Sequence, residues 1–148
     1  MKKFIMLLAT VGGAGKSPIA PGSVGTLAGM LMVSLVHPLP YHLYAITTVV
    51  FCLLAVWVSS AAATIAGKKD PQDVVIDEVA GLLVTMAFHP WTWTTAIVGY
   101  VAFRLFDTWK PFPCKRFEKF PSGWGIVLDD VMAGVYANIV VWVVWGIF

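Results

Sequence analysis

The chain has 148 residues, room for a single domain spanning 1–148, and 59% of them are hydrophobic. Only 12% are Asp, Glu, Lys or Arg, about half the share of an ordinary soluble protein, and the mean hydropathy is +0.82. No charge interrupts 17–67, 79–103 or 131–148, which excludes a soluble fold, and a net charge of +2 gives no reason to expect nucleic acid as a partner.

The chain opens with Met1-Lys2-Lys3 and an apolar run from Phe4 to Val11, which imitates a signal peptide. The run is short, Gly12-Gly13-Ala14-Gly15-Lys16 continues it poorly, and no cleavage site follows, so the segment is expected to stay in the mature protein. The same glycine-rich loop imitates a phosphate-binding P-loop. That pattern needs glycine where Thr10 stands and a helix after Lys16-Ser17, where Pro18 and Pro21 lie. Nucleotide binding is therefore rejected. Two readings of the loop stay open: a flexible lead-in to the next helix, or backbone amides and Lys16 brought near a phosphate.

Five membrane-associated helices follow, expected at about 23–36, 42–66, 72–88, 92–109 and 127–147. The predicted fold class is all-α, an integral membrane helical bundle. His37-Pro38-Leu39-Pro40-Tyr41-His42 and His89-Pro90-Trp91-Thr92-Trp93 read as turns between helices. If each hairpin crosses and returns, all ten Lys and Arg residues fall on one face, which the positive-inside rule makes cytoplasmic. Tyr41, Tyr44, Trp91 and Trp93 then anchor the opposite interface. Gly81, Gly134 and Ala80 are expected to let helices approach closely. Cys52 lies in an apolar run and Cys114 on the basic face, too far apart for a disulfide.

Several apolar cores, such as Val79 to Phe88, are shorter than the ~20 residues of a straight crossing. They reach that length only if the charged turns beside them enter the membrane boundary. Asp77, Glu78, Arg104, Asp107, Asp129 and Asp130 are then placed at one depth. Asp70-Pro71 reads as a helix N-cap followed by proline, which would put Asp73 and Asp77 on one helical face. Asp129 and Asp130 are expected in the first turn of the last helix, where its dipole favours negative charge.

Five acids on three helix ends suit magnesium, which takes hard oxygen ligands and completes its shell with water and substrate phosphate. Capping and ion pairing explain any one acid equally well. They explain the adjacent pairs Asp77-Glu78 and Asp129-Asp130 less well, because neighbouring like charges repel unless a cation sits between them. Arg104 and Lys110 flank Asp107 and suit a phosphate, the guanidinium bidentately and the ammonium as a point charge. The three histidines lie at the distal turns, which argues against a histidine nucleophile or zinc site.

Three segments resemble the phosphatidylglycerophosphatase A family: Gly15-Lys16-Ser17-Pro18-Ile19-Ala20-Pro21-Gly22-Ser23-Val24-Gly25-Thr26, Val75-Ile76-Asp77-Glu78-Val79-Ala80-Gly81, and Phe103-Arg104-Leu105-Phe106-Asp107-Thr108-Trp109-Lys110-Pro111 with Gly125-Ile126-Val127-Leu128-Asp129-Asp130-Val131-Met132-Ala133-Gly134. The resemblance implies a Mg²⁺-dependent phosphomonoesterase that converts phosphatidylglycerophosphate to phosphatidylglycerol in the bacterial inner membrane, with its active site on the cytoplasmic side. It implies that Asp77, Glu78, Asp107, Asp129 and Asp130 are the metal ligands and catalytic acids. It implies that Arg104 and Lys110 hold the phosphate; Lys16, from the glycine-rich loop, is expected as a further phosphate contact. The departures are Ser23 and Thr26, which exchange hydroxyl residues, and a bulky Trp124 before Gly125. The partners expected are phospholipid, the membrane and a second copy of the chain in a homo-oligomer. The alternative is a small transporter binding cations or protons at interfacial carboxylates, although its apolar segments carry little polarity at mid-depth.

Overall fold

Each apolar run becomes helical in the computed structural model, which describes residues 1–147. In chain order the helices are α1 (Lys2–Ala9), α2 (Pro21–Val36), α3 (Tyr41–Ala66), α4 (Ile76–Thr85), α5 (Trp93–Trp109), α6 (Cys114–Phe117) and α7 (Gly123–Ile147). A single 3-10 turn, Ala14–Lys16, lies between α1 and α2. The fold is all-helical, and no strand occurs among the described residues.

The helix ends follow local chemistry. Pro21 opens α2 at a position where its missing N–H costs nothing. Thr92 and Thr95 form a reciprocal capping box at the start of α5. Gly67 closes α3 in the left-handed region at φ 65°, and the N–H groups of Gly67 and Lys68 both return to Ala63 O. The helices α3 and α7 are long and apolar enough to cross a membrane. Their outer faces expose large apolar side chains, among them Ile46, Val49, Leu53 and Trp57 on α3 and Trp142 and Val143 on α7.

The centre of the bundle is α4. Every one of its residues except Val84 is buried, and α2, α3, α5 and α7 pack around it. Ten residues rise about 15 Å, half of a ~30 Å hydrocarbon core, so this helix cannot cross alone. It does not need to, because neighbouring helices rather than lipid surround it. Close packing is achieved where α4 meets α7. A Cβ added to Gly134 would strike the Gly81 carbonyl, and one on Gly81 would stand 2.7 Å from the Asp130 carbonyl oxygen of α7 and strike the Phe103 ring of α5.

Three expectations are corrected here. First, α4 starts at Ile76, not near 72. Asp70-Pro71 is no cap, and Asp73 lies in a turn, so it shares no helical face with Asp77. The cause is tertiary: Val75 N donates to Ala9 O at 2.9 Å, and Gly15 is pressed against the Asp73 backbone, which holds 71–75 in a non-helical path. Second, α7 starts at Gly123, so Asp129 and Asp130 lie at the end of its second turn, beyond the first-turn dipole. Gly123 enters the helix because Ser60 Oγ accepts its N–H at 2.8 Å and its missing Cβ lets α3 approach. Third, α4 ends at Thr85, not near 88, so it has only 10 residues beside 16 in α2 and 17 in α5.

The N-terminal segment, whose disposition the sequence leaves open, packs as α1 along α3. It shares a core of Ala9, Ala55, Val58, Ala62, Val74 and Ala80. Cys52 and Cys114 are both free. At the distal end, His37 Nε2 lies 2.6 Å from His89 O, which ties the two turns together.

Candidate active site

The expected acids and bases do come together. They meet where the N-termini of α4 and α7 lie beside the C-terminus of α5. Two ion clusters form there. In the first, Arg104 Nη1 donates to Glu78 Oε1 at 3.3 Å and to Asp107 Oδ2 at 2.8 Å. Thr26 Oγ1, on α2, donates to the other oxygen of Glu78 at 2.6 Å and lies 3.5 Å from Arg104 Nη1. Gly22 lets α2 come this near: a Cβ there would stand 2.7 Å from Glu78 Oε1 and 3.1 Å from each terminal nitrogen of Arg104.

In the second cluster, Lys110 Nζ donates to Asp129 Oδ2 at 2.5 Å and to Glu118 Oε1 at 2.6 Å. Lys110 terminates α5 with φ 49°, a left-handed conformation that a non-glycine residue holds only when its surroundings impose it. Here Pro111 follows and two carboxylates hold the ammonium. Burial alone would lower the pKa of that ammonium, but the hydrogen bonds and charges of Asp129 and Glu118 outweigh it and carry it above the ordinary lysine range. Lys110 is therefore a permanent cation at neutral pH. Lys69 Nζ donates to Glu118 O at 3.0 Å. A cavity of about 230 Å³ opens beside this cluster, lined by Lys69, Asp70, Glu118, Ser122, Gly125, Ile126 and Asp129.

Asp77 and Asp130 belong to neither ion pair. They are 8% and 4% exposed, and Asp130 lies within the electrostatic reach of Asp77, Glu78, Asp107 and Asp129. Asp77 Oδ1, Asp129 Oδ1 and Asp130 Oδ2 are buried without a hydrogen-bond partner. Ionised oxygens in that state are costly unless a proton or a cation satisfies them.

The sequence of one protein family, described as Phosphatidylglycerophosphatase A, matches residues 7–145. The chain belongs to the phosphatidylglycerophosphatase A family. A Phosphatidylglycerophosphatase A of Escherichia coli (strain K12) is 37% identical over 133 residues, covering 87% of this chain and 76% of that protein. A second, from Haemophilus influenzae, is 37% identical over 145 residues, covering 95% and 88%. A protein of Bacteroides thetaiotaomicron named "Putative phosphatidylinositol-3-phosphatase" is 34% identical over 145 residues, covering 92% and 90%. No solved structure matches the chain.

For this family member the question of a metal turns on the donor set. Three unpartnered carboxylate oxygens in a buried acidic cluster are hard ligands of the kind Mg²⁺ takes, and Asp77, Asp129 and Asp130 carry them. Glu78 and Asp107 already bind Arg104. Among the described residues, no three acids, histidines or cysteines stand close enough to enclose an ion by themselves. That suits a cation held by few side chains, with water and phosphate supplying the rest, and suits a closed protein cage poorly.

Lys16 forms none of the ion pairs of this cluster. It ends the 3-10 turn and is exposed. Its loop nevertheless braces the start of α4 through Gly15. The chain turns again after Lys16 and becomes helical only at Pro21, so no P-loop forms. Sequence reasoning assigned no site role to Thr26, Asp70 or Glu118. Thr26 was signalled only by its place in the glycine- and proline-rich motif; Asp70 was absorbed by the capping assignment, and Glu118 by its basic neighbours.

Proposed function

We propose that this chain is a Mg²⁺-dependent lipid phosphatase that hydrolyses the terminal phosphomonoester of phosphatidylglycerophosphate at the cytoplasmic face of the bacterial inner membrane. Family membership supports the lipid phosphatase activity. One observation carries the chemistry. Buried carboxylate oxygens without partners, on Asp77, Asp129 and Asp130, adjoin two cations, Arg104 and Lys110, that suit a phosphate.

The roles follow from which atoms are free. Both oxygens of Glu78 are engaged, one by Thr26 and one by Arg104, so Glu78 orients the guanidinium and is a poor candidate for taking a proton. Arg104 and Lys110 would bind the phosphate oxygens and stabilise charge as the P–O bond to the glycerol breaks. Two of the carboxylates Asp77, Asp129 and Asp130 would hold the magnesium, with water and substrate phosphate completing its shell. When bound, that ion neutralises the phosphate and lowers the pKa of an attacking water. The carboxylate of Asp77 or Asp130 that does not hold the ion would take a proton from the attacking water as the new P–O bond forms and return it to the departing glycerol oxygen. An aspartyl-phosphate route through Asp129 or Asp107 remains the competing chemistry, and trapping of a phosphoenzyme distinguishes it.

Membrane placement is supported by the apolar outer faces of α3 and α7 and by the basic residues gathered at the end of the bundle that holds the acids. Transport would call for polar groups free at mid-bundle depth, whereas the hydroxyls of Thr48 and Thr85 there donate to Tyr44 O and Gly81 O one turn back.

The test is phosphate release from phosphatidylglycerophosphate by detergent-purified protein, with Mg²⁺ and with EDTA, beside Asp129→Asn. Release that requires Mg²⁺ and disappears in the variant is expected. Absence of release with any divalent metal would sink the proposal.

A further inference from the structure

A groove of about 530 Å³ runs between α2 and α5 on the outside of the bundle, within the size range of ligand pockets. Leu27, Leu31 and Ser34 form its α2 wall, and Trp93, Ile97 and Tyr100 form its α5 wall. Its two hydroxyls are engaged by backbone carbonyls. Ser34 Oγ donates to Leu31 O at 2.7 Å, and Tyr100 hydroxyl donates to Ser23 O at 3.5 Å. What the groove presents is hydrocarbon.

Its position identifies the occupant. Tyr100 lies one helical turn before Arg104, on the same face of α5. Leu27 follows Thr26, which holds Glu78. The groove therefore begins where the phosphate cluster ends and leads away from it toward the distal turn. From Arg104 to Trp93, α5 rises about 16 Å. Trp91 and Trp93 mark the far end, and Trp93 is 87% exposed.

We infer that the α2–α5 groove seats one acyl chain of the phospholipid substrate while Arg104 and Lys110 hold its phosphate. The inference rests on the phospholipid phosphatase reading and adds to it a selectivity for chain length. A chain lying in the groove fixes the headgroup against the acids, so binding at a distance from the reacting phosphorus contributes to turnover. A substrate with chains too short to fill the groove loses that contribution.

The experiment compares phosphatidylglycerophosphate carrying two palmitoyl chains with the same headgroup carrying two hexanoyl chains, in mixed detergent micelles. Three variants are used: Ser34→Trp, which fills the distal end of the groove; Leu31→Trp, at its 71% exposed rim, where added bulk spares the core; and Val49→Trp, on the outer face of α3. Each is first shown to be monodisperse by gel filtration.

The expected result is that the ratio of kcat/KM for the long-chain over the short-chain substrate falls at least tenfold in Ser34→Trp and Leu31→Trp, and stays at the wild-type value in Val49→Trp. An unchanged ratio in the groove variants would overturn the proposal, because the chain would then lie in bulk lipid. An equal fall on both substrates would also overturn it, because the added ring would be acting on the headgroup site. A fall in Val49→Trp as large as in the groove variants would reduce the effect to general lipid contact. If wild-type protein released phosphate from neither substrate, the phosphatase reading itself would fail, and the groove assignment with it.

Discussion

Lys110 and Asp129 are nineteen residues apart in sequence, yet Nζ of one lies 2.5 Å from Oδ2 of the other. The lysine ends α5, and the aspartate, 4% exposed, sits in the second turn of α7. This contact latches the two helices at the site and neutralises one acid of a crowded group. Lys110→Met is expected to lower stability by about 1–3 kcal/mol, because it leaves a buried carboxylate unpaired. Adding Asp129→Asn should recover most of that loss without restoring phosphate release. Thermal unfolding of the single and double variants checks this. A double variant no more stable than Lys110→Met would show that the pair contributes nothing.

Thr26 provides a sharper test of geometry, because valine has nearly its shape without the hydroxyl. Thr26→Val removes the 2.6 Å hydrogen bond to Glu78 Oε2 and leaves that oxygen buried and unsatisfied. Stability should fall by about 1–3 kcal/mol, and kcat/KM should fall with it as Arg104 loses its fixed partner. Thr26→Ser keeps the donor and should retain most of the activity. Steady-state kinetics of the two variants side by side would decide. Equal activity in both would remove Thr26 from the site.

Gly22 and Gly146 are both helical glycines, and they should respond oppositely to alanine. At Gly22 the new methyl would press on the Glu78–Arg104 pair, whose side-chain ends can shift; at Gly146 it would meet nothing within 4 Å. Gly22→Ala should therefore fold and lose activity, by roughly 10–100-fold if the guanidinium moves about 1 Å. Gly146→Ala should be active and unchanged or slightly more stable, by up to about 1 kcal/mol. Finding Gly22→Ala as active as wild type would mean that the guanidinium position is not critical.

Magnesium binding can be followed without turnover. The buried, unpartnered oxygens of Asp77, Asp129 and Asp130 should make the wild-type Tm rise with Mg²⁺, by the equivalent of about 2.7 kcal/mol at a hundredfold excess over Kd. In EDTA, Asp130→Asn should be at least as stable as wild type, since it removes one of several crowded like charges. It should also lose the Mg²⁺-dependent rise. A Tm that ignores Mg²⁺ in wild-type protein would argue that these acids are neutralised by protons.

How much of this was legible beforehand differs from residue to residue. The long uncharged runs and the proline-marked turns showed the helical class, because no other backbone satisfies its own hydrogen bonds over such stretches in an apolar setting. The shared level of Glu78, Arg104, Asp107 and Asp129 was also legible, since each lies at the charged end of an apolar run. The start of α4 was not. Asp70-Pro71 carries the local chemistry of a cap, and only the Ala9–Val75 hydrogen bond, 66 residues apart in sequence, overrides it. Nor was the start of α7, because two glycines argue locally against a helix and only packing against Ser60 and Val56 favours one.

By itself, then, the sequence determined an all-helical, apolar chain with a charged end and the types of residue available there, because hydropathy and charge placement are local properties. The tertiary structure alone decided which acids form ion pairs and which do not. Glu78 is tied by Thr26 and Arg104 and Asp129 by Lys110, whereas Asp77 and Asp130 make no ion pair, although all four look alike in the sequence. That difference depends on which helix packs against which. It also depends on Gly22, Gly81 and Gly134, whose missing side chains let α2, α4 and α7 come close enough to make it.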